Sequence, residues 1–166
     1  MSHKVLVQTD EYIPAGISGI TMDKVGDSKE GKQEFTFVWS ESYQIVHQAY
    51  LSCVQSGNPQ TLALLVQQHP FHVEALFQLS EYLKSTGDLK NAGELVERIL
   101  YTCETCAHPH FDWLSGNSSL DFSKEENKTI YLALFRHIEY LGRRGCARTA
   151  LEFCKGLISS FLSLQV

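Results

Sequence analysis

Positive charge is scarce in this sequence: 14 lysines and arginines stand against 19 aspartates and glutamates, a formal charge of −5. That balance removes any global electrostatic case for nucleic acid, whose binding needs a basic field. Long apolar runs are missing too. Nothing approaches the ~18 residues of a membrane span, and Met1–Asp10 lacks the apolar core of a secretory signal. The five cysteines are odd in number and dispersed, so they suggest no disulfide framework. An intracellular protein is expected, in which the N-x-S/T sites at Asn117 and Asn127 carry no meaning. P-loop, G-x-G-x-x-G, H-E-x-x-H and G-x-S-x-G strings are all absent. Without a catalytic constellation, the expectation is a non-enzyme with no cofactor. What is present is an ordinary globular mix, 43% hydrophobic and 20% charged over 166 residues, one domain's worth of chain.

Residues 1–39 are expected to form an irregular arm. The stretch 1–34 is rich in Gly, Ser, Asp and Lys, with room for a strand or two but no part in the core. From residue 40 to 166 the periodicity is helical. Tyr43, Val46, Tyr50 and Cys53 mark one helix, ended by Gly57; Asn58-Pro59 caps and starts the next, closed at His69-Pro70. Val73, Leu76, Leu79 and Leu83 mark a third helix. Asp88 caps a fourth, with the stripe Ala92, Leu95, Val96, Ile99, Leu100 and Cys103. After an inserted loop at about 107–122, Ser123-Lys-Glu-Glu126 reads as a capping box, with Glu125 and Glu126 favoured by the helix dipole. The stripe Tyr131, Leu134, Phe135, Ile138 and Leu141 follows. Gly145 separates it from a last helix with the stripe Ala150, Phe153, Cys154, Leu157, Ile158 and Phe161. The hairpins thus fall at about 40–69, 72–106 and 123–163.

The last two hairpins repeat one another. Laying 74–100 over 132–158 gives identity at a third of the positions, among them Gly87/Gly145 and Ala92/Ala150. Gly at the turn and a small Ala five positions on form the tetratricopeptide pattern, whose period is about 34; the inserted loop accounts for most of the longer spacing here. The expected fold is all-α, a fragment of an α-solenoid of tetratricopeptide-like hairpins with an irregular N-terminal arm.

Three groups could carry function. Cys103-Glu-Thr-Cys106-Ala-His108-Pro-His110 offers zinc ligands, but Cys103 lies on the core stripe and a helical C-x2-C lacks the usual knuckle, so no metal is expected. Arg143, Arg144 and Arg148 surround the second hairpin's turn, either as solvated charges at a helix end or as a docking patch for acidic protein or ribosomal RNA. Phe111 and Trp113 give the inserted loop an aromatic character that suits a plug on the helices or a partner contact. His47, His69, His72 and His137 are scattered, none beside a nucleophile. Residues 127–166 carry six Lys/Arg against Glu139 and Glu152, yet Gly156–Val166 has no charged side chain. An exposed apolar last helix and concentration-dependent self-association are expected from that end.

The strings His69-Pro-Phe-His-Val-Glu-Ala-Leu-Phe-Gln-Leu-Ser80, Leu95-Val-Glu-Arg-Ile-Leu-Tyr101, His108-Pro-His-Phe111, Glu126-Asn127, Tyr131-Leu-Ala-Leu-Phe135 and Leu141-Gly-Arg-Arg-Gly-Cys-Ala-Arg-Thr-Ala-Leu-Glu-Phe-Cys-Lys155 together resemble the transcription factor 25 family. Ile13-Pro-Ala-Gly, Phe35-Thr-Phe37 and Tyr43-Gln44 extend the likeness over about residues 11–162. Ala147 stands where the family has Pro, and Gly156 interrupts the last helix. Family members are much longer, so the resemblance implies a fragment or short form. It also implies an interaction scaffold of ribosome quality control, acting with a Listerin-type E3 ligase, ubiquitin and the 60S subunit in clearing stalled nascent chains. The alternative it implies is a nuclear transcriptional repressor working through protein contacts. The location is then cytoplasmic, with a possible nuclear pool, and neither membrane nor direct DNA binding is expected.

Overall fold

The computed structural model describes Leu6, residues 16–28 and residues 31–162, with side chains to 159. Ile13–Ala15, the side chain of Phe161 and residues 163–166 lie outside that set. The element order is β1 (Ile20–Asp27), β2 (Gln33–Trp39), α1 (Glu41–Ser56), α2 (Pro59–Gln68), α3 (Val73–Ser85), α4 (Leu89–Cys106), β3 (Ser118–Leu120), α5 (Glu125–Arg143) and α6 (Ala147–Leu162).

The all-α solenoid class is overturned by a three-stranded mixed sheet of order β1-β2-β3, antiparallel between the first pair and parallel between the second. Nor is the N-terminal segment an irregular arm off the core. Phe35 and Phe37 alternate inward on β2, with Ile20 and Met22 on β1, and all four are buried in the core with Leu120 of β3. The supposed inserted loop supplies β3, which pairs Phe35 with Leu120. Helices α1, α4, α5 and α6 pack against this sheet, so strands and helices share one core.

Local chemistry explains the helix boundaries. The Ser40 hydroxyl accepts from the Tyr43 amide at 3.2 Å, Asn58 Oδ1 from Gln60 at 2.9 Å, and Asp88 Oδ1 from Asn91 at 3.2 Å. At α5 the expected capping box does not form. Ser123 Oγ instead donates to Asp121 Oδ1 at 2.6 Å, and Lys124 takes the cap position without a side-chain bond. The following turn is held by Asn127, which is wholly buried. Its Oδ1 accepts from the Phe37 amide at 2.9 Å and its Nδ2 donates to the Asp121 carbonyl at 2.9 Å, tying α5 to β2.

The repeat extends to single hydrogen bonds. In α3–α4 the turn is closed by Thr86 N to Tyr82 O at 3.1 Å, Gly87 N to Lys84 O at 3.1 Å, Asp88 N to Leu83 O at 2.9 Å and Ala92 N to Asp88 O at 3.1 Å. In α5–α6 the counterparts are Arg144 N to Tyr140 O at 3.1 Å, Gly145 N to Gly142 O at 3.1 Å, Cys146 N to Leu141 O at 2.9 Å and Ala150 N to Cys146 O at 3.0 Å. Gly87 and Gly145 take φ of 87° and 79°, a conformation that excludes a Cβ at low cost. Gly156, unexpected inside a helix, is buried where a Cβ would lie 3.3 Å from the Trp113 carbonyl. The 113–114 backbone needs that space.

The last helix is covered in part. Phe153 is buried and Leu157 half-buried, while Leu151 and Ile158 are exposed. Lys32 Nζ reaches back to donate to the Ser159 carbonyl at 3.0 Å, placing a cation at the helix C-terminal end. No helix among the described residues is long and apolar enough to cross a membrane.

Candidate functional site

Ion pairs bind the two hairpins side by side. Arg136 of α5 grips Glu81 of α3 through two parallel bonds, Nε to Oε1 at 2.5 Å and Nη2 to Oε2 at 2.9 Å. Glu139 receives Lys84 at 3.3 Å, Arg136 at 3.4 Å and Arg143 at 3.3 Å. Burial works to raise the Glu139 pKa, but the three cations hold it below the usual carboxylate range. Of the sequence-predicted arginines, Arg143 and Arg144 thus have carboxylate partners, Arg144 pairing with Glu97 at 3.1 Å. Both still line a groove of about 470 Å³ with Lys90, Glu94 and Tyr140; Arg148 is exposed beyond the turn. The Tyr140 hydroxyl in this groove is buried and makes no hydrogen bond within the described residues.

Phe111 and Trp113 are half-buried against the core. Phe111 meets Phe35 edge-on at 5.2 Å and Trp113 at 4.7 Å, so both rings close the sheet side of the molecule.

The Cys103–His110 string is spread over separate environments. Cys103 is buried in the core, and desolvation holds its thiol well above the usual range. Cys106 Sγ lies 3.1 Å from Ser18 Oγ. His108 Nδ1 accepts from the His110 amide at 3.1 Å, and its ring packs on Phe35. These side chains do not form a three-ligand cluster; the one such group among the described residues is His47, His72 and Glu74, all buried, with ligand atoms within 4.8 Å of one another.

That group is assembled from the inward face of α1 and the first turn of α3. Tyr43 and His47 lie one helical turn apart and both point inward. His72 is the N-cap of α3, its Nδ1 accepting from the Ala75 amide at 3.1 Å. Tyr43 stacks on His72 at 4.6 Å, and Trp39 lies 4.5 Å from His47, centroid to centroid. The Tyr43 hydroxyl donates to Glu74 Oε2 and accepts from the Val73 amide at 3.0 Å. Burial pushes Glu74 up to about 7 and pulls His72 down to about 3, the latter helped by His47 and His69. At neutral pH His72 is therefore uncharged. The wall of an adjoining cleft of about 290 Å³ includes Tyr43, Val46, His69 and His72. Sequence reasoning missed the cluster: the two histidines belong to different helices with a third between them, and the nearest signal was the Tyr43–His47 spacing.

The family model described as "Transcriptional repressor TCF25" matches residues 35–163, most of the chain. The chain belongs to the Tcf25 family. It is 41% identical over 141 residues to the human "Ribosome quality control complex subunit TCF25", covering 85% of this chain and 21% of that one. The mouse protein of the same name is 39% identical over 141 residues, with the same coverage of 85% and 21%. The Schizosaccharomyces pombe "Ribosome quality control complex subunit 1" is 36% identical over 160 residues, 96% of this chain and 24% of its own. The chain therefore spans about a fifth to a quarter of these Tcf25-family relatives. No solved structure matches it.

Proposed function

We propose that this chain is a non-enzymatic interaction module of ribosome quality control, acting with a Listerin-type E3 ligase, ubiquitin and the 60S subunit. The observation that carries the reading is its identity, over 85% or more of its length, to relatives named as subunits of that complex. Its groove at the second turn, where Lys90, Arg143 and Arg144 stand among Glu94 and Glu97, gives the module a surface of mixed charge for a protein partner. The module works in the cytoplasm, on ribosomes. Affinity capture from cell extract tests this: Listerin, ubiquitin or 60S proteins are expected, and their loss on Arg143→Glu/Arg144→Glu would place the contact in the groove. Capture of chromatin factors without ribosomal proteins would instead favour the nuclear repressor reading that the family's description supports. Recovery of neither would sink both for this chain.

A further inference from the structure

We propose that His47, His72 and Glu74 form a site for one divalent transition-metal ion of zinc's class, buried between α1 and the start of α3, with His72 also on the wall of the adjoining cleft. Two nitrogen donors and one carboxylate are the donor set such borderline ions favour. The three ligand atoms already lie within 4.8 Å of one another, on two packed helices. The stronger observation is what the imidazoles lack among the described residues. His47, 4% exposed, has neither ring nitrogen hydrogen-bonded, and Glu125 Oε1 comes only to 3.4 Å from its Nε2. His72, 2% exposed, leaves Nε2 without a bond, 3.8 Å from Glu74 Oε2. Buried polar nitrogens are ordinarily paired, and an open nitrogen from each of two imidazoles beside a buried carboxylate marks a place for a cation.

The surroundings fit. Glu125 Oε1, 3.4 Å from His47 Nε2, adds a second carboxylate beside the group, which favours a cation there. The Tyr43 hydroxyl, bonded to Glu74 Oε2, is an outer-shell partner of the kind that orients a ligating carboxylate. Three protein ligands leave a fourth position for water, and His72 is the ligand that also lines the cleft. Because His72 Nδ1 accepts from Ala75, its ring proton resides on Nε2 in the metal-free chain. Ion binding at Nε2 moves that proton to Nδ1, and the Ala75 amide gives up its cap. The Ala75 resonance is therefore a local reporter.

The test titrates the chelator-stripped full chain with cobalt(II), then zinc(II). One equivalent of cobalt should bind with the visible absorption of a low-coordinate nitrogen–oxygen site, displaced by zinc. The Ala75 amide should shift, and the thermal midpoint should rise with zinc. His47→Gln and Glu74→Gln, checked for helical content, should each weaken binding by about 100-fold or more, since even outer-shell losses reach that scale. Binding should persist in Cys106→Ala. The proposal is overturned by no uptake, by uptake that survives both His47→Gln and Glu74→Gln, or by a thiolate charge-transfer band that Cys106→Ala removes.

Discussion

The hairpins α3–α4 and α5–α6 share a turn down to individual hydrogen bonds, yet they differ in what covers them. Leu100 is wholly buried, while its counterpart Ile158 is 52% exposed; Phe77 is half-buried and its counterpart Phe135 is 58% exposed. Gly93 lies beneath Arg144 and Tyr140, but its counterpart Leu151 is 53% exposed. The first hairpin is enclosed by α2 on one side and α5 on the other; the second packs on α4 and the sheet and keeps one face open. The repeat thus specifies the hairpin, and position in the fold decides which residues are core. A pattern of apolar residues alone does not distinguish the two.

The largest effect should come from breaking that difference in burial. Leu100→Ala should cost about 2–5 kcal/mol in urea unfolding and Ile158→Ala about 0.5 kcal/mol or less. Equal costs would mean that the second hairpin is covered in solution.

Next is the helix start, where His72 and Glu74 correspond to the apolar Ile130 and Leu132. His72 titrates at about 3 folded against an ordinary 6.5, so the unfolded chain binds the extra proton and stability falls as pH drops through that window. Glu74 titrates at about 7 folded against 4.5, so the folded chain holds the extra proton and stability falls as pH rises through it. The slopes cancel between 4.5 and 6.5, giving the metal-free chain a plateau with losses on the order of 2 kcal/mol toward pH 3. His137, also lowered by burial, adds to the acid side. His47, Tyr43 and Tyr50 of α1, His69 after α2, Cys103 of α4, and Glu125 and Glu126 of α5 are the other titratable groups around the pair. His72→Gln should flatten the acid limb and Glu74→Gln the neutral one; an unchanged profile in both would refute the assignment.

The shared turn offers a matched pair. A Cβ at Gly87 or at Gly145 meets nothing within 4 Å, so Ala at either should cost only the left-handed backbone penalty, about 1–2 kcal/mol each. Thermal or urea midpoints that differ widely between the two would show that the turns are not equivalent. Smallest are the ion pairs: a double-mutant cycle on Arg136–Glu81, with both side chains mostly covered, should give about 1 kcal/mol. Lys155–Glu152, well exposed, should give about 0.3 kcal/mol, further reduced by salt.

Most helices were legible because their signals are local. Asn58-Pro59, Asp88 and the glycines at 87 and 145 each act within a turn of themselves. The sheet was not, although Phe35 and Phe37 alternate as a strand should. Its third member, Ser118–Leu120, is too short to show a period, and four helices separate it in the chain from its partner β2. Ser123 looked like a cap because Ser123–Glu126 fits the box; Asp121, two positions earlier, takes its hydroxyl instead. The proposed ligand group was illegible for a similar reason. His47 sits on an amphipathic face where a core residue is expected, and only the packing of α1 on α3 brings His72 and Glu74 to it. Arg143 and Arg144 were visible as charges, whereas their carboxylate partners Glu139 and Glu97 were not: one lies a turn back on the same helix, the other across the hairpins.

The pairing of Phe35 with Leu120 has a consequence in time. A chain made from its N-terminus at ~5–20 residues per second reaches Leu120 roughly 4–17 s after Phe35. The rings of His108 and Phe111 that flank Phe35 arrive only shortly before. Antiparallel β1–β2 can close early, because its ends are joined by a short turn; the parallel edge must await a long loop. Strands made early in this segment are thus finished late: residues 107–122 set the earliest moment at which the sheet is complete, and α5 and α6 close the core after it.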